Sequence, residues 1–496
     1  MNDILKIAAT DNVAVALRDL RAGEVVALEN GGAIEVLEDI AFGHKVALAD
    51  IPEGGDVVKY AHRIGVARRA IRRGALANET SVKTALADFS EYVYALVAPA
   101  RLPSPKTRTF GGYMRPSGEA GVRNELWVVP LVSCVNCVAA EIIKRFSAGE
   151  NAKYTDGAFA LSHAYGCSQL GCDHQNTAAI LADLCMHPNA GGVLVLSLGC
   201  ENNKMSAFKE LLSGRDLSRV RFLESQSSGD EVDDGLKLLN ELALEMKNDA
   251  RREIPLSKLR FGLKCGGSDA FSGITANVLI GKFADAAVAS GASCALCEVP
   301  EMFGAETLLM NRAESEVVFK KIADMINSFK KYFTANGMPV YENPSPGNKA
   351  GGISTLEEKS LGCVQKGGTS TVRDVLRYGG RISKSGLTLL ESPGNDPVAA
   401  TALAAAGCQI VLFSTGRGTP FATTVPTVKI SSNTPLFEKK PNWIDFDAGE
   451  ILSGKDLGRL SDEFLDFVLQ IASGKLTKAE INGYREISIF KTGVTL

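Results

Sequence analysis

The 496-residue sequence lacks the features that mark membrane, secreted, nucleic-acid-binding and nucleotide-binding proteins. No apolar run reaches the ~18–20 residues of a membrane-spanning helix, and the first residues show no basic segment followed by an apolar one, which argues against a secretion signal. Positive and negative side chains nearly balance, with 54 Lys and Arg against 57 Asp and Glu, so we expect no surface for nucleic acid or an anionic membrane. A Walker sequence and a Gly-x-Gly-x-x-Gly loop between a strand and a helix are also missing.

Histidine is scarce: the chain has only five, which limits the candidates for an imidazole base or metal ligand. It has eleven cysteines, an odd number that fits a reducing cytoplasm better than a disulfide framework. In that compartment, clustered thiols are metal ligands, catalytic groups or core residues. Glycine is abundant, with 49 residues or roughly 10% against a usual ~7%, and this suits an enzyme with many tight strand-to-helix turns.

Apolar periodicity divides the chain into four parts and predicts an α/β fold with a small N-terminal all-β module. Residues 1–77 contain short apolar runs between Gly-rich turns, as expected for that module. Residues 78–112 lose periodicity and hold three prolines, which predicts a long linker. Strand-like runs then alternate with helical stretches, which predicts parallel sheets buried on both faces. A polar gap at Pro255 separates a second α/β domain, residues 113–255, from a C-terminal domain, residues 256–496.

The individual elements follow from the same apolar patterns. The clearest predicted strands are 13–17, 24–27, 33–36, 45–48 and 56–60 in the module, then 126–132, 157–161, 192–198, 260–263, 294–299, 387–390 and 409–414. The clearest predicted helices are 139–146, 176–185, 230–246, 306–329 and 461–472.

Ligands of open parallel sheets bind outside the carboxyl ends of the strands, so the residues that follow each predicted strand are the first candidates for a site. Four successive strands are each followed by a cysteine among Gly, Asn, Ser or Asp. These segments are Ser133-Cys134-Val135-Asn136, His163-Ala164-Tyr165-Gly166-Cys167, Gly199-Cys200-Glu201-Asn202-Asn203 and Cys265-Gly266-Gly267-Ser268-Asp269. One such cysteine alone fits a small buried hydrophobe, but four at equivalent edges favour a metal. Thiolates suit a soft or borderline ion, so iron is the leading candidate and an iron–sulfur cluster is an alternative.

We predict Cys134, Cys167 and Cys265 as metal ligands, together with His163. His163 lies just beyond a strand and four residues before Cys167, so it can join such a site; structural packing is the alternative. His44 closes a turn in the β module, where a solvated loop histidine is the alternative.

Two further loops carry polar groups suited to a polyol acid. Asn348 and Lys349 lie between Pro-Gly and Gly-Gly elements and can present an amide and an ammonium group, although a loop rich in Pro and Gly needs no function. Arg417 lies in a Gly-framed loop after a strand, and its planar guanidinium can bind both oxygens of a carboxylate. The alternative for Arg417 is a helix cap or an ion pair with a surface acid.

Five motifs carry a resemblance to a known family. They are Gly121-Val122-Arg123-Asn124, Gly199-Cys200-Glu201-Asn202-Asn203, Cys265-Gly266-Gly267-Ser268-Asp269 with Ser272-Gly273-Ile274-Thr275-Ala276-Asn277, the segment 343–352 and the segment 414–420. Together with the tail 489–496, they resemble the altronate/galactarate dehydratase family over essentially the whole chain. The N-terminal module resembles the family's SAF (β-clip) domain, and the C-terminal part is expected to be Rossmann-like without binding a dinucleotide.

This resemblance implies a hydro-lyase that removes water from D-altronate to give 2-dehydro-3-deoxy-D-gluconate in hexuronate catabolism. The segments 123–127, 300–306 and 443–449 are most similar to the altronate branch of the family; galactarate or another aldarate or aldonate is the alternative substrate. Family members are described as iron-dependent, so Fe²⁺ is expected, with Mn²⁺ as a substitute. We expect six residues to bind the substrate: Arg417, Asn348, Asn277, Glu301, Ser268 and Asp269. An iron–sulfur or thiol redox module without enzymatic activity is the alternative from a different class.

Dehydration of a 2,3-dihydroxy acid needs a base for the proton on carbon 2 while the hydroxyl on carbon 3 leaves. Lys349, His163 and His44 are the candidate bases, and the sequence does not choose among them. The resemblance leads us to expect a further histidine near the end of the module, where this chain has Ala75-Leu76-Ala77-Asn78-Glu79. We also expect a cytoplasmic enzyme that acts on a small sugar acid as a homo-oligomer, a dimer.

Overall fold

A computed structural model of the protein describes residues 3–28, 31–87, 89 and 91–496. The N-terminal module consists of short antiparallel strands because apolar residues alternate with tight turns every few positions. Its strands form three small sheets, in the orders β1-β2-β5-β8, β3-β4 and β6-β7-β9. They are β1 (Ile4–Leu5), β2 (Val13–Ala16), β3 (Val25–Ala27), β4 (Ala33–Glu35), β5 (Lys45–Ala47), β6 (Asp56–Lys59), β7 (His62–Ala67), β8 (Leu76–Ala77) and β9 (Val82–Lys83).

The module continues beyond residue 77 in the structure, because β9 pairs with β7. The described residues between 84 and 108 form neither helix nor strand and run along the C-terminal domain. Two contacts hold this segment there: the Val97 amide donates to the Asn311 carbonyl at 2.9 Å, and the Tyr92 hydroxyl donates to Glu306 at 2.6 Å. A small antiparallel sheet follows, in which β10 (Thr109–Met114) pairs with β11 (Ala120–Gly121) and β16 (Arg252–Pro255).

The second domain has a four-stranded, all-parallel sheet in the order β13-β12-β14-β15. Helices α1 and α4 cover one face of this sheet and α2 covers the other, which explains its nearly continuous apolar strands. The elements are β12 (Glu125–Pro130), α1 (Asn136–Ser147), β13 (Ala158–Ala160), α2 (Gly171–Cys185), β14 (Ala190–Ser197), α3 (Met205–Leu211), β15 (Val220–Glu224) and α4 (Glu231–Met246).

The C-terminal domain has a seven-stranded, all-parallel sheet in the order β19-β20-β18-β17-β21-β22-β23. The strands are β17 (Arg260–Cys265), β18 (Ser293–Leu296), β19 (Val372–Leu376), β20 (Gly386–Leu390), β21 (Ile410–Thr415), β22 (Thr427–Ser431) and β23 (Phe446–Asp447). The helices are α5 (Ala276–Ala289), α6 (Glu306–Met310), α7 (Glu316–Ala335), α8 (Pro346–Ala350), α9 (Leu356–Cys363), α10 (Asp396–Ala405), α11 (Thr434–Lys439), α12 (Leu457–Ala472) and α13 (Lys478–Ile481).

The predicted class, α/β with a small all-β module at the N-terminus, is confirmed. The second and C-terminal domains pack through α2 and α10, and the Asn189 side chain donates to the Gln409 carbonyl at 3.0 Å where β14 and β21 begin. Among the described helices, none is both long and apolar enough to cross a membrane.

The structure differs from the sequence prediction where charged residues enter the sheet or a helix is interrupted. The predicted helix 306–329 is two helices, because the Ser315 side chain accepts from the Val318 amide and starts α7 anew. Strands β19 and β22 were not predicted, since Arg373, Asp374 and Lys429 break their apolar pattern.

Candidate active site

The carboxyl ends of the strands in the seven-stranded sheet converge on one crevice. β17 comes first along the chain but lies inside the sheet, with β18 on one side and β21 on the other. The chain order therefore reverses at β17 and leaves a crevice there. β17 ends at Cys265 itself, Glu301 follows β18, and Arg417 follows β21.

Three buried side chains form the centre of this crevice. The Cys265 and Cys363 sulfurs are 3.4 Å apart, and Glu301 Oε2 lies 3.0 Å from the first and 3.1 Å from the second. Among the residues described, this is the one group of three or more His, Cys, Asp or Glu whose ligand atoms all lie within 4.8 Å of one another. Two sulfur donors and one carboxylate suit a borderline transition-metal ion such as Fe²⁺.

Buried lysines balance the negative charge of the centre. Lys359 Nζ lies 2.6 Å from Glu301 Oε1, and Lys366 Nζ donates to the Cys265 sulfur at 3.0 Å. Burial alone would raise the pKa of Glu301, but the two lysines outweigh burial and hold that pKa at about 2. The same ion pair more than offsets burial for Lys359 and raises its pKa. Glu301 is therefore ionised and Lys359 protonated at neutral pH.

The contact between the two thiols shifts the pKa of Cys363. The hydrogen bond between Cys363 and Cys265, followed by burial, raises the pKa of Cys363. Cys363 is therefore a protonated thiol at neutral pH. A bound cation would need to displace its proton.

Helix α9 positions both Cys363 and Lys359, and every residue of this helix is buried. The helix starts where the Thr355 side chain accepts from the Glu358 amide. Glu358 accepts hydrogen bonds from Lys45 Nζ at 2.9 Å and from Lys59 Nζ at 2.8 Å. Both lysines belong to the N-terminal module, so α9 is fixed by a buried ion cluster between the two domains.

A strained turn of the module also reaches the site. Tyr60 and Ala61 have φ angles of 62° and 60°, which non-glycine residues rarely adopt. Their amides donate to the buried Asp11 carboxylate at 3.2 and 2.8 Å, which holds the turn. The Tyr60 hydroxyl then lies against Gly273, where a Cβ would approach it to 2.7 Å, so glycine is required there.

A narrow cavity lies between this turn and α9. Its lining includes Tyr60, Ser268, Asn277, Lys359 and Cys363. The Ser268 hydroxyl is buried and has no hydrogen-bond partner among the described residues, so it can serve a ligand hydroxyl.

His44 and Lys349 lie close together beside the crevice. The half-buried His44 ring donates a hydrogen bond to the Ala350 carbonyl, one residue beyond Lys349. Burial, and then the nearby Lys45 charge, lower the pKa of His44 below its ordinary 6.5, so its imidazole is neutral at pH 7. Lys349 is partly exposed on α8, which begins with a capping box between Ser345 and Asn348.

Three of the predicted substrate ligands bond within the protein. Asn348 donates to the Ser268 carbonyl at 2.8 Å, and Asn277 donates to the Gly362 carbonyl at 3.0 Å. Asp269 accepts from partners in the loops after β17 and β22: Ser272, Ser432 and Asn433. These contacts show how the loops are joined. Direct substrate binding by these three residues stays a prediction.

Arg417 is exposed at the mouth of the crevice. Its amide donates to the Gly267 carbonyl at 2.9 Å, which fixes the loop next to the end of β17. Its guanidinium makes no ion pair and no helix-capping contact with any residue that the structure describes, and so is available to a ligand.

The structure does not assemble the predicted metal site of Cys134, Cys167, Cys265 and His163. Cys265 ends a strand of the seven-stranded sheet, whereas the other three follow β12 and β13 of the four-stranded sheet. Both ring nitrogens of His163 are engaged: Nε2 donates to the Pro130 carbonyl at 2.8 Å, and Nδ1 accepts from the Tyr165 amide at 3.1 Å. The expected adjacency of Cys265 to the other three residues is wrong, because three of the four predicted strands belong to the four-stranded sheet and the fourth belongs to the seven-stranded sheet.

Sequence reasoning missed several residues of this site. Cys363, Lys359 and Glu358 lie in a charged segment that resembles a solvated helix, and Lys366 and Lys45 lack any motif. The one available signal was Cys363 itself, which follows a run of charged residues and precedes Gly367-Gly368.

Models of one protein family match three consecutive segments of the chain. The C-terminal domain of D-galactarate/altronate dehydratase matches residues 256–495, and the second domain of D-galactarate dehydratase/altronate hydrolase matches residues 112–247. The altronate/galactarate dehydratase SAF domain matches residues 2–85, which confirms the predicted SAF module.

Three curated relatives match nearly the full chain. An altronate dehydratase of Bacillus subtilis is 54% identical, with 100% of both chains covered. An altronate dehydratase of Escherichia coli is 51% identical, with 99% of both chains covered. A galactarate dehydratase (L-threo-forming) of Escherichia coli is 35% identical, with 95% of this chain and 93% of the relative covered.

Proposed function

The chain belongs to the D-galactarate/altronate dehydratase family, and we propose that it is a hydro-lyase that converts D-altronate to 2-dehydro-3-deoxy-D-gluconate and water. The observation that carries this conclusion is full-length identity of 54% and 51% to two altronate dehydratases. A galactarate dehydratase is more distant at 35%, so galactarate is the second candidate substrate. The predicted reaction class and the expected altronate branch agree with these relatives.

The donor set of Cys265, Glu301 and Cys363 fits the iron that we expect for this family. All three are buried and within ligand distance of a common point, and sulfur with carboxylate suits Fe²⁺, with Mn²⁺ as a substitute. A bound Fe²⁺ supplies Lewis-acid polarisation of a substrate oxygen. We therefore propose that the iron binds in the C-terminal domain, with Cys265 the one ligand kept from the four predicted ones.

Charged side chains around the crevice bind and orient the sugar acid. Arg417, exposed and unpaired among the described residues, holds the carboxylate through its two parallel N–H groups. Lys359, protonated beside Glu301, faces the cavity and stabilises negative charge that develops on the substrate carboxylate. The unpartnered Ser268 hydroxyl binds a substrate hydroxyl.

His44 is the base that the geometry favours for the proton on carbon 2. Its imidazole is neutral at pH 7, and the hydrogen bond to Ala350 fixes its ring so that the other nitrogen can accept a proton. Lys349, the neighbouring candidate, then acts as an electrostatic stabiliser. His163 is unsuitable because both its nitrogens already bond to the backbone.

We also propose that this enzyme is located in a reducing cytoplasm and forms a homodimer. All eleven cysteines are free, as they are in reducing compartments. Its proposed substrate is a small sugar acid. Light scattering with the purified protein tests the dimer.

An assay on a panel of sugar acids tests the proposed function. The protein is purified without oxygen, loaded with Fe²⁺ and incubated with D-altronate, galactarate and D-mannonate, and 2-keto-3-deoxy acid is measured. We expect the highest kcat/KM with D-altronate. A higher value with galactarate would reassign the substrate, and no turnover of any sugar acid would reject the hydro-lyase assignment.

A further inference from the structure

The carboxyl edge of the four-stranded sheet carries a second set of cysteines that the proposed reaction does not use. Strands β13, β12 and β14 lie side by side, and the loops after them carry Cys167, Cys134 and Cys200. All three are free, with Cys134 and Cys200 exposed and Cys167 partly exposed. Free cysteine is among the most buried residue types, so packing does not account for three accessible thiols on one edge.

Two hydrogen bonds tie the first two of these loops together. The Ser133 amide donates to the Tyr165 carbonyl at 2.9 Å. The Asn136 side chain donates to the His163 carbonyl at 2.8 Å. The loop of Cys134 therefore lies directly against the loop of Cys167.

The third loop joins them through two asparagines. The Asn203 amide donates to the Gly166 carbonyl at 3.1 Å. Asn202 Oδ1 accepts from the Ser168 amide at 2.9 Å and lies 3.2 Å from the Cys167 sulfur. Cys200, two residues before Asn202, is thereby brought to the same edge.

Hydrogen bonds hold the loop of Cys200, and the one acid of this loop, Glu201, is buried. The Glu201 carboxylate accepts from the Leu198 and Gly199 amides at 3.2 and 2.6 Å, so it closes its own turn. The Gln226 side chain donates to the Cys200 sulfur at 3.6 Å. This loop therefore offers sulfur rather than carboxylate to a ligand.

A buried amide beside Cys167 has an unused donor. Gln169 is 7% exposed, and its Oε1 accepts from the Gly166 amide at 3.3 Å. Its Nε2 has no hydrogen-bond partner among the described residues. Buried donors of this kind find a partner in the complete protein, and cluster sulfide is an acceptor of N–H groups.

We propose that Cys134, Cys167 and Cys200 bind an iron–sulfur cluster, each through its thiolate after loss of a proton. No three ligand atoms on this edge lie within 4.8 Å of one another in the described chain, which disfavours a single ion. A cluster spaces its cysteines more widely, since each binds a different iron. Three cysteines leave an iron open to an outside ligand. This site goes beyond the proposed function and is separate from the Cys265 centre.

The test is cluster assembly in the full chain. The protein is purified without oxygen and supplied with Fe²⁺ and sulfide, and acid-labile sulfide, iron and the electron paramagnetic resonance spectrum of the reduced form are measured. We expect sulfide and iron in the parent, and at least a tenfold loss of sulfide in Cys134→Ser and Cys200→Ser. Cys137→Ser and Cys172→Ser are the matched controls, because both thiols are exposed in the same domain but lie on helices α1 and α2.

The outcomes separate the cluster from the proposed dehydratase centre. Absence of acid-labile sulfide in the parent, equal sulfide loss in the two controls, or binding of Zn²⁺ alone without sulfide would overturn the cluster. Cys363→Ser should retain sulfide, because Cys363 lies in the C-terminal domain. Turnover of D-altronate by a parent protein that assembles no cluster when Fe²⁺ and sulfide are supplied would reject the cluster and leave the proposed function intact.

Discussion

Replacement of Glu358 by glutamine should uncouple the N-terminal module from the catalytic domain. Glu358 is the shared partner of Lys45 and Lys59, and the side chains of all three are at most 1% exposed. A neutral amide would leave two buried ammonium groups without a counter-charge. Loss of one partner of a buried ion pair costs about 3–5 kcal/mol.

The pKa of Glu358 gives an independent magnitude. Burial alone would raise it, but Lys45 and Lys59 lower it from 4.5 to about 2. At about 1.4 kcal/mol per unit, the ionised carboxylate stabilises the fold by roughly 3 kcal/mol at pH 7. Because the folded pKa is the lower one, this stability is present above pH 4.5 and is lost as the pH falls towards 2.

Thermal unfolding followed at several pH values measures both effects. For a domain of this size, Glu358→Gln should lower the melting temperature at pH 7 by about 6–12 °C. Its melting temperature should also lose the part of the acid dependence between pH 4.5 and 2 that Glu358 causes. Glu450→Gln is the control, since the Glu450–Lys455 pair is partly exposed and should matter little. A Glu358→Gln protein that melts within a degree of the parent would refute the buried ion cluster.

The remaining predictions concern the site itself. Arg417→Lys keeps the charge but loses the paired N–H groups, so KM for D-altronate should rise on the order of 10- to 100-fold with kcat little changed, measured by steady-state kinetics. His44→Asn should lower kcat by at least ~10²-fold, and the parent's rate should fall below pH 6.5 as His44 becomes protonated, measured as a pH–rate profile. Cys363→Ser should lower bound iron and activity together, measured by metal analysis alongside the assay.

Each of these predictions has a control variant or an outcome that would contradict it. Cys408 is buried before β21, at the opposite edge of the sheet, so Cys408→Ser should keep its iron. Equal iron loss in Cys408→Ser would reject the assigned centre. Lys349→Met should bind iron normally, and a larger loss of kcat in this variant than in His44→Asn would make Lys349 the base. An unchanged KM in Arg417→Lys would remove Arg417 from the carboxylate site.

Local patterns were sufficient for many of the elements and their order. Apolar runs predicted β2, β5 and β6 in the module and β14, β17 and β21 in the parallel sheets, because a strand buried on both faces needs a continuous apolar segment. The same patterns placed Arg417 and Cys265 at strand ends. These features depend only on neighbours along the chain.

The sheet to which each strand belongs could not be predicted from local patterns. The sequence shows four strand-end cysteines but does not show that β12 and β17 belong to different sheets. Sheet membership depends on which strands pair, and this is decided by contacts between distant segments.

The sequence by itself determined the domain order, the parallel α/β architecture, the strand-end loops and the likeness to one enzyme family. Only the tertiary structure placed Cys363 next to Cys265, 98 residues earlier, and Lys45 next to Glu358, 313 residues later. A charged residue in a local pattern predicts exposure, because an isolated charge is costly to bury. In this protein α9 is buried with its charges, since Lys45 and Lys59 of the distant module neutralise Glu358 and Glu301 pairs with Lys359. Partners so far along the chain leave no local signal.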